Sequence, residues 1–345
     1  MPSPLQPAVL LNANARNVGP KISKLIAQTL PQAAVFLSHN LSEAQELARK
    51  ILTTPHTPVL LGGGDGTLMG FLEALLLASQ QLAKPLPELG LLRLGTGNAI
   101  ARWTGQTHTG KKALQHALRY MGSTGEKNYK SLNLIEFDKH LAPFAGAGVD
   151  GRVLVDYVRF KERSSQKPWK HLATGMKAYV ASVALHTLPY YLLHPTQIHC
   201  QIQNLGETAF RVYPDGSLGP PLPQGTPLFE GKATMVAAST IPFYGYGIRM
   251  FPFAQRLPRC MHLRVLRSSI PHMLLHLHSL WKGSWFPPTT CDFVVENVTV
   301  SCSKPMPCQV GGDAAGERNT MHLRVSETSV PLMALSPASS TEGVT

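Results

Sequence analysis

The 345-residue chain is poor in charge, with only 15% Asp, Glu, Lys and Arg. What charge it has is lopsided: 32 Lys and Arg against 20 Asp and Glu leave a formal +12, which favours anionic partners such as membrane surfaces, nucleotides or nucleic acid without choosing among them. The five cysteines (200, 260, 291, 302 and 308) never fall into a CxxC spacing. That argues against a zinc knuckle or a disulfide framework and for reduced thiols in a cytoplasmic protein. The chain offers no run of about 18 apolar residues, so a spanning helix is not expected. The start, MPSPLQPAVLLNAN, lacks the basic opening and sustained apolar core of a signal peptide.

What is present is 43% apolar residues, enough for two cores in a chain of this length. The first third alternates strand and helix patterns. Ala8–Asn12, Ala33–Leu37, Pro58–Leu61 and Gly90–Leu94 read as buried strands. Helical spacing runs over Gly19–Leu30, Leu41–Leu52, Leu68–Ala78 and onward from Ala99, with Ser42 and Gln45 at capping-box spacing. This β-α-β-α order predicts a doubly wound parallel sheet over about residues 1–130. From Asn133 the texture shifts to β-rich runs such as LNLIEF, TMVAAS and DFVVENVTVSC, so residues 131–335 are expected to form a β-rich antiparallel domain. Into it are set a helical excursion over Asp150–Leu193 and a helix over Pro271–Trp281. Pro214–Pro227 reads as a surface loop, and 336–345 as a disordered tail.

The third strand empties into LLGGGDGTLMG, and the fourth into GTGN. Both glycine loops therefore lie at carboxyl ends of strands, where open α/β sheets place ligands. Glycines allow backbone N–H groups to approach phosphate closely. GGGDGT lacks the GK[ST] ending of a Walker A loop and is not GxGxxG. A structural glycine turn is the plain alternative.

GGGDGT, followed by LRLGTGNAIAR, strongly resembles the diacylglycerol kinase catalytic domain family, which includes sphingosine and bacterial lipid kinases. The resemblance implies an ATP-dependent, magnesium-requiring lipid kinase that transfers the γ-phosphoryl group to a hydroxyl of diacylglycerol or a related long-chain lipid. By the same resemblance, ATP would be bound by Asn12, Ser38, Gly62, Gly63, Gly64, Gly66, Thr67, Gly95, Thr96, Gly97 and Asn98. Asn12 stands in NANAR, where the family has a motif like NPxSG, and only the asparagine matches. CQVGGDAAGER falls at the family's VDGE motif, which makes Asp313 the candidate general base and Asp65 the candidate organiser of metal and phosphate. Some relatives reverse those roles. FAGAGVDGRV resembles the opening of the lipid domain, and Asp150 in it corresponds to a position near the lipid headgroup, against the plain reading of a helix-start aspartate.

The chain also departs from the family pattern at Met69, Gly70, Ala99, Pro258 and Arg259, where carboxylates or their partners are usual. These missing carboxylates make a catalytically silent lipid- or nucleotide-binding protein one alternative, and GTGNAIA with Asp150 makes a sphingoid-base kinase the other. NAD kinase and phosphofructokinase share a GGDGT-like loop, but Asn98-Ala99 replaces the NE motif of NAD kinase. The basic, aromatic stretch Arg159–His171 suggests peripheral docking on an anionic membrane, with a solvated loop as the alternative. His272, His276 and His278 lack the zincin glutamate, Met273 standing in its place, and read as ordinary helix residues. The expected partner is a lipid substrate at a membrane surface, with no nucleic acid or partner protein, and a homodimer is compatible with the pattern.

Overall fold

A computed structural model describes residues 6–15, 18–54, 56–95, 98–122, 127–138, 140–165, 175–193 and 197–335. The tail 336–345, Thr96, Gly97 and the stretch 166–174, on which several sequence expectations fall, lie outside the described residues. The chain divides into two compact units. Unit 1 takes in residues up to Leu132, Gly245–Gly247 and the described residues from Ser329 on. Unit 2 comprises Asn133–Tyr244 and Ile248–Thr328.

In unit 1 strands β1 (Gln6–Asn12), β2 (Ala34–Ser38), β3 (His56–Gly63) and β4 (Leu89–Arg93) alternate with helices α1 (Pro20–Thr29), α2 (Leu41–Thr53), α3 (Asp65–Leu82), α4 (Ala99–Trp103) and α5 (Gly110–Gly122). All pairings among the four strands are parallel, in the order β2-β1-β3-β4. The parallel α/β architecture read from the alternation is thus the observed one. β1 and β3 read as near-continuous apolar runs because helices cover both faces of a parallel sheet. Val9, Leu11, Leu60 and Leu92 pack with Ile22, Ile26 and Leu114 in one cluster.

Two local details differ from the sequence reading. The cap of α2 is Asn40, whose side chain accepts from the Glu43 N–H at 2.9 Å while Glu43 accepts from the Asn40 side-chain amide at 2.8 Å. The helix starts at Leu41, so the three-residue box falls on Asn40 and Glu43 rather than Ser42 and Gln45. Helix α3 begins at Asp65 itself, three residues before the apolar spacing becomes legible.

Unit 2 is built on antiparallel strands β5 (Tyr129–Phe137), β6 (His140–Ala142), β7 (Phe144–Gly148), β8 (Ile198–Asn204), β9 (Ala209–Val212), β10 (Leu218–Pro221), β11 (Pro227–Ala233), β12 (Met235–Ser239), β13 (Met261–Leu266), β14 (Thr290–Val295), β15 (Asn297–Val310) and β16 (Asp313–Met333). Its core joins Ile135, Ile202, Val236, Leu263, Phe293, Val298 and Leu323. The helical excursion resolves into α6 (Val149–Ser165), α7 (Gly175–Ser182), a π-helical turn (Val183–Thr187) and α8 (Leu188–Leu193).

The expected helix at 271–281 is two short ones, α9 (Ile270–Leu275) and α10 (Leu277–Lys282), broken at His276 where φ is −104° and ψ 18°. The proline-rich stretch is not wholly loop, since β10 pairs with β9 there as an edge strand, a place where prolines cost no ladder bond. Within unit 1, Leu332 near the end of β16 pairs in parallel with Leu89 of β4, so a contiguous sequence division misses this return of the chain.

Candidate functional site

In the order β2-β1-β3-β4 the chain winds one way from β1 to β2 and the other way through β3 to β4, so the switch point lies between the carboxyl ends of β1 and β3. Ligands of open α/β sheets bind at such a point. Asn12 ends β1 and Gly63 ends β3. The Asn12 side-chain amide donates to the Thr67 hydroxyl at 2.8 Å, and its carbonyl oxygen accepts from the Asn14 N–H at 2.8 Å. Ser38, at the end of β2, is buried and donates to the Asn40 carbonyl at 2.7 Å. A cavity of about 250 Å³ opens here, lined among others by Asn12, Ser38, His39, Asn40, Gly66 and Thr67.

The two glycine loops touch through backbone. The Gly95 N–H donates to the Gly63 carbonyl at 2.9 Å. A Cβ on Gly95 would stand 2.2 Å from the Gly64 Cα, so glycine is required there by close approach. At Gly64 φ is −93°, so that position needs no left-handed freedom. Gly62 is closed in by Leu11 and Leu94, and Gly63 by the Thr67 side chain. Asn98 is buried in the left-handed region at φ 57°, with its side chain bonded in both directions to Gly95.

Asp65 binds the loops together. Its carboxylate accepts from the Ala99 N–H at 2.9 Å and the Ile100 N–H at 3.2 Å, so it caps α4, a role the Asn98 side chain does not fill. Desolvation raises the Asp65 pKa, against the opposing pull of those two amides and of the nearby Arg93 charge. Arg93 donates to the Gln106 and Thr107 carbonyls. Sequence reasoning passed over this arginine although it stands two residues before the second loop.

Helix α3 opens at Gly64 with no side-chain cap, which leaves its first-turn N–H groups and the positive end of its dipole beside Gly66 and Thr67 at the cavity rim. That arrangement suits an anion such as phosphate. Among the described residues no cluster of three or more His, Cys, Asp or Glu could hold a metal. Each Asp65 oxygen accepts one amide and keeps a lone pair, so a magnesium ion held on the phosphates of a nucleotide remains compatible with this carboxylate.

Asp150 and Asp313 lie in unit 2. Asp313 is exposed at the start of β16, yet desolvation of its carboxyl pushes its pKa upward. It follows the turn Gly311-Gly312, where φ is 62° and 96°. Asp150, in the first turn of α6, accepts from the Tyr244 hydroxyl at 2.8 Å, while its other oxygen is buried without a hydrogen-bond partner. Burial pushes the Asp150 pKa up to about 6, with the Tyr244 hydrogen bond opposing. Tyr244 in turn accepts from the Gln309 side-chain amide, and the Gln309 carbonyl oxygen accepts from the Gly312 N–H at 3.1 Å. Each link fixes the next: the carboxylate turns the Tyr244 hydroxyl toward itself, which leaves that oxygen to accept from Gln309 and turns the Gln309 carbonyl toward Gly312. Tyr244 and Gln309 carried no sequence signal, because the partners are 94 and 65 residues apart in the chain.

His272 and His276 pack edge-on to each other and against Trp285, which accounts for them without a metal.

Unit 1 is a parallel α/β domain with an uncapped helix start at its switch point. Residues 8–124 match the family model of the diacylglycerol kinase catalytic domain. A probable lipid kinase YegS-like from Pseudomonas syringae pv. tomato is 40% identical over 81 residues, covering 24% of this chain and 25% of that protein. Human diacylglycerol kinase zeta is 36% identical over 106 residues, 29% of this chain and 11% of its own length. The matched region thus spans a quarter or less of these relatives. The crystal structure of a diacylglycerol kinase from Bacillus anthracis str. Sterne superposes with a TM-score of 0.54 over 92% of this chain and 93% of its own, at 12% identity. A second solved chain from the same bacterium reaches 0.59 over 93% and 94%, also at 12%. The fold is shared across nearly the whole chain.

Proposed function

We propose that this protein is an ATP-dependent lipid kinase that transfers the γ-phosphoryl group to a hydroxyl of diacylglycerol or a related long-chain lipid. The observation that carries the reading is the contact of the two glycine loops, held by Asp65 across the uncapped start of α3, at the switch point of a parallel sheet. The relatives' names supply the lipid acceptor. In this reading the ATP phosphates lie on the backbone of Gly62–Thr67 and Gly95–Asn98, with Asn12 and Ser38 on the nucleoside side. Magnesium enters as part of the MgATP substrate. Catalysis of phosphoryl transfer rests on positioning and charge stabilisation, with a carboxylate, Asp313 or Asp65, to take the acceptor proton.

Incubation with labelled ATP, Mg²⁺ and mixed micelles carrying diacylglycerol, sphingoid bases, ceramide and monoacylglycerol tests it. Labelled phospholipid is expected, and absence of label in every lipid from protein that binds ATP would favour a silent nucleotide-binding protein. That second reading is favoured by one observation, the engagement of both Asp65 oxygens by α4 amides.

A further inference from the structure

Helices α9 and α10 bury only Ile270 and Leu280 among their apolar residues. Leu274 is 38% exposed, Leu275 81%, Leu277 44% and Trp281 40%. The usual order is inverted here: His272 and His276 turn inward onto Trp285, while Leu274, Leu275 and Leu277 face out. Four large apolar side chains within eight residues, with histidines beneath them, form a patch rather than the scattered exposure of an ordinary surface. Helix α8 lies beside α9, and near it the π-helical turn and α7 expose Leu185 and Val180.

Charge says what covers this face. From Gly231 to Cys291 the sequence contains seven Lys and Arg and no Asp or Glu, and from Arg163 to Gly206 it again contains no acid. Beside Trp281 stand two exposed cations, Lys282 and Arg249, the latter packed where a Cβ of Gly283 would be. An apolar surface carrying an amphipathic Trp, edged by Lys and Arg and cleared of carboxylates, matches the boundary between acyl chains and anionic headgroups. Among the described residues no helix is long and apolar enough to cross a membrane, so the face would lie on the bilayer.

We propose that α9 and α10 form a docking face for an anionic phospholipid bilayer, inserting Leu274, Leu275, Leu277 and Trp281 at the interface with Lys282 and Arg249 on headgroup phosphates. Its purpose rests on the lipid-kinase reading, but its binding does not.

The test is sedimentation of the full chain with phosphatidylcholine vesicles, with and without phosphatidylserine, for wild type and for the double variant Leu275→Gln, Trp281→Gln. Wild type is expected to bind the phosphatidylserine vesicles. The double variant should bind on the order of tenfold or more weakly, because each lost apolar side chain removes buried area. Thermal unfolding should be unchanged, since both side chains are already exposed. Lys282→Gln should weaken binding only where phosphatidylserine is present. Equal sedimentation of wild type and double variant would overturn the proposal, as would a dimer seen by light scattering without vesicles and lost in the variant, which assigns the face to a second copy. Vesicle binding without lipid phosphorylation would remove the kinase reading alone. Phosphorylation of short-chain soluble lipid without vesicle binding would remove the docking face alone.

Discussion

Replacing Tyr244 by Phe deletes one hydroxyl from the buried chain that runs from Asp150 to the Gly312 N–H, and its cost depends on pH in a way that identifies the carboxylate as its source. In the folded protein the Asp150 pKa is about 6 against an ordinary 3.8. A raised carboxyl pKa means that the folded state holds its proton over a window where the unfolded state has released it. The contribution of Asp150 to stability is therefore fully present below about pH 4 and is lost as pH rises through about 6, in total about 3 kcal/mol. At pH 8 the carboxylate is ionised and the Tyr244 hydroxyl is its direct donor, so removing it costs about 1.5–3 kcal/mol. At pH 5 the carboxyl is neutral and the same deletion costs about 1 kcal/mol. For a unit of this size each kcal/mol moves Tm by about 2–4 °C. Circular dichroism melts should thus show a loss of about 3–12 °C at pH 8 and about 2–4 °C at pH 5. Neighbouring Tyr191 and Cys308 do not confuse the window, because burial raises both and pushes Cys308 to about 12. An equal loss of Tm at the two pH values would refute the reasoning, since an effect of packing alone has no pH dependence.

Asp65→Asn should slow phosphoryl transfer by about 10² to 10⁴ in a folded protein, and unchanged turnover would take Asp65 out of the mechanism. Gly95→Val places side-chain atoms where the Gly64 backbone already lies, so ATP affinity measured by calorimetry should fall; unaltered affinity would reduce the loop contact to a turn. Asn40→Ala should lower stability by about 1 kcal/mol through loss of the α2 cap, read from urea midpoints; an unchanged midpoint would take the cap out of the account of α2.

The pattern of apolar runs and helical spacings by itself determined the parallel α/β half, because strands buried on both faces and amphipathic helices leave different periods in the chain. The glycine loops were equally legible as residue runs at strand ends, although what requires the glycines, the approach of Gly95 to Gly64 and of Leu11 and Leu94 to Gly62, is tertiary. Asn40 was missed as the α2 cap because capping depends on where the helix begins, which apolar spacing locates only to within a residue or two. Only the tertiary structure decided that Asp65 caps α4 across 34 residues, that Asp150 leads through Tyr244 and Gln309 to the turn before Asp313, and that the end of β16 returns beside β4. These are hydrogen bonds and pairings between residues far apart in the chain, which leave no periodic trace in the sequence. The outward Leu274, Leu275 and Leu277 belong to the same class, because the spacing of HMLLHLHSL allows either these leucines or His272 and His276 to face inward, and packing against Trp285 selects the two histidines.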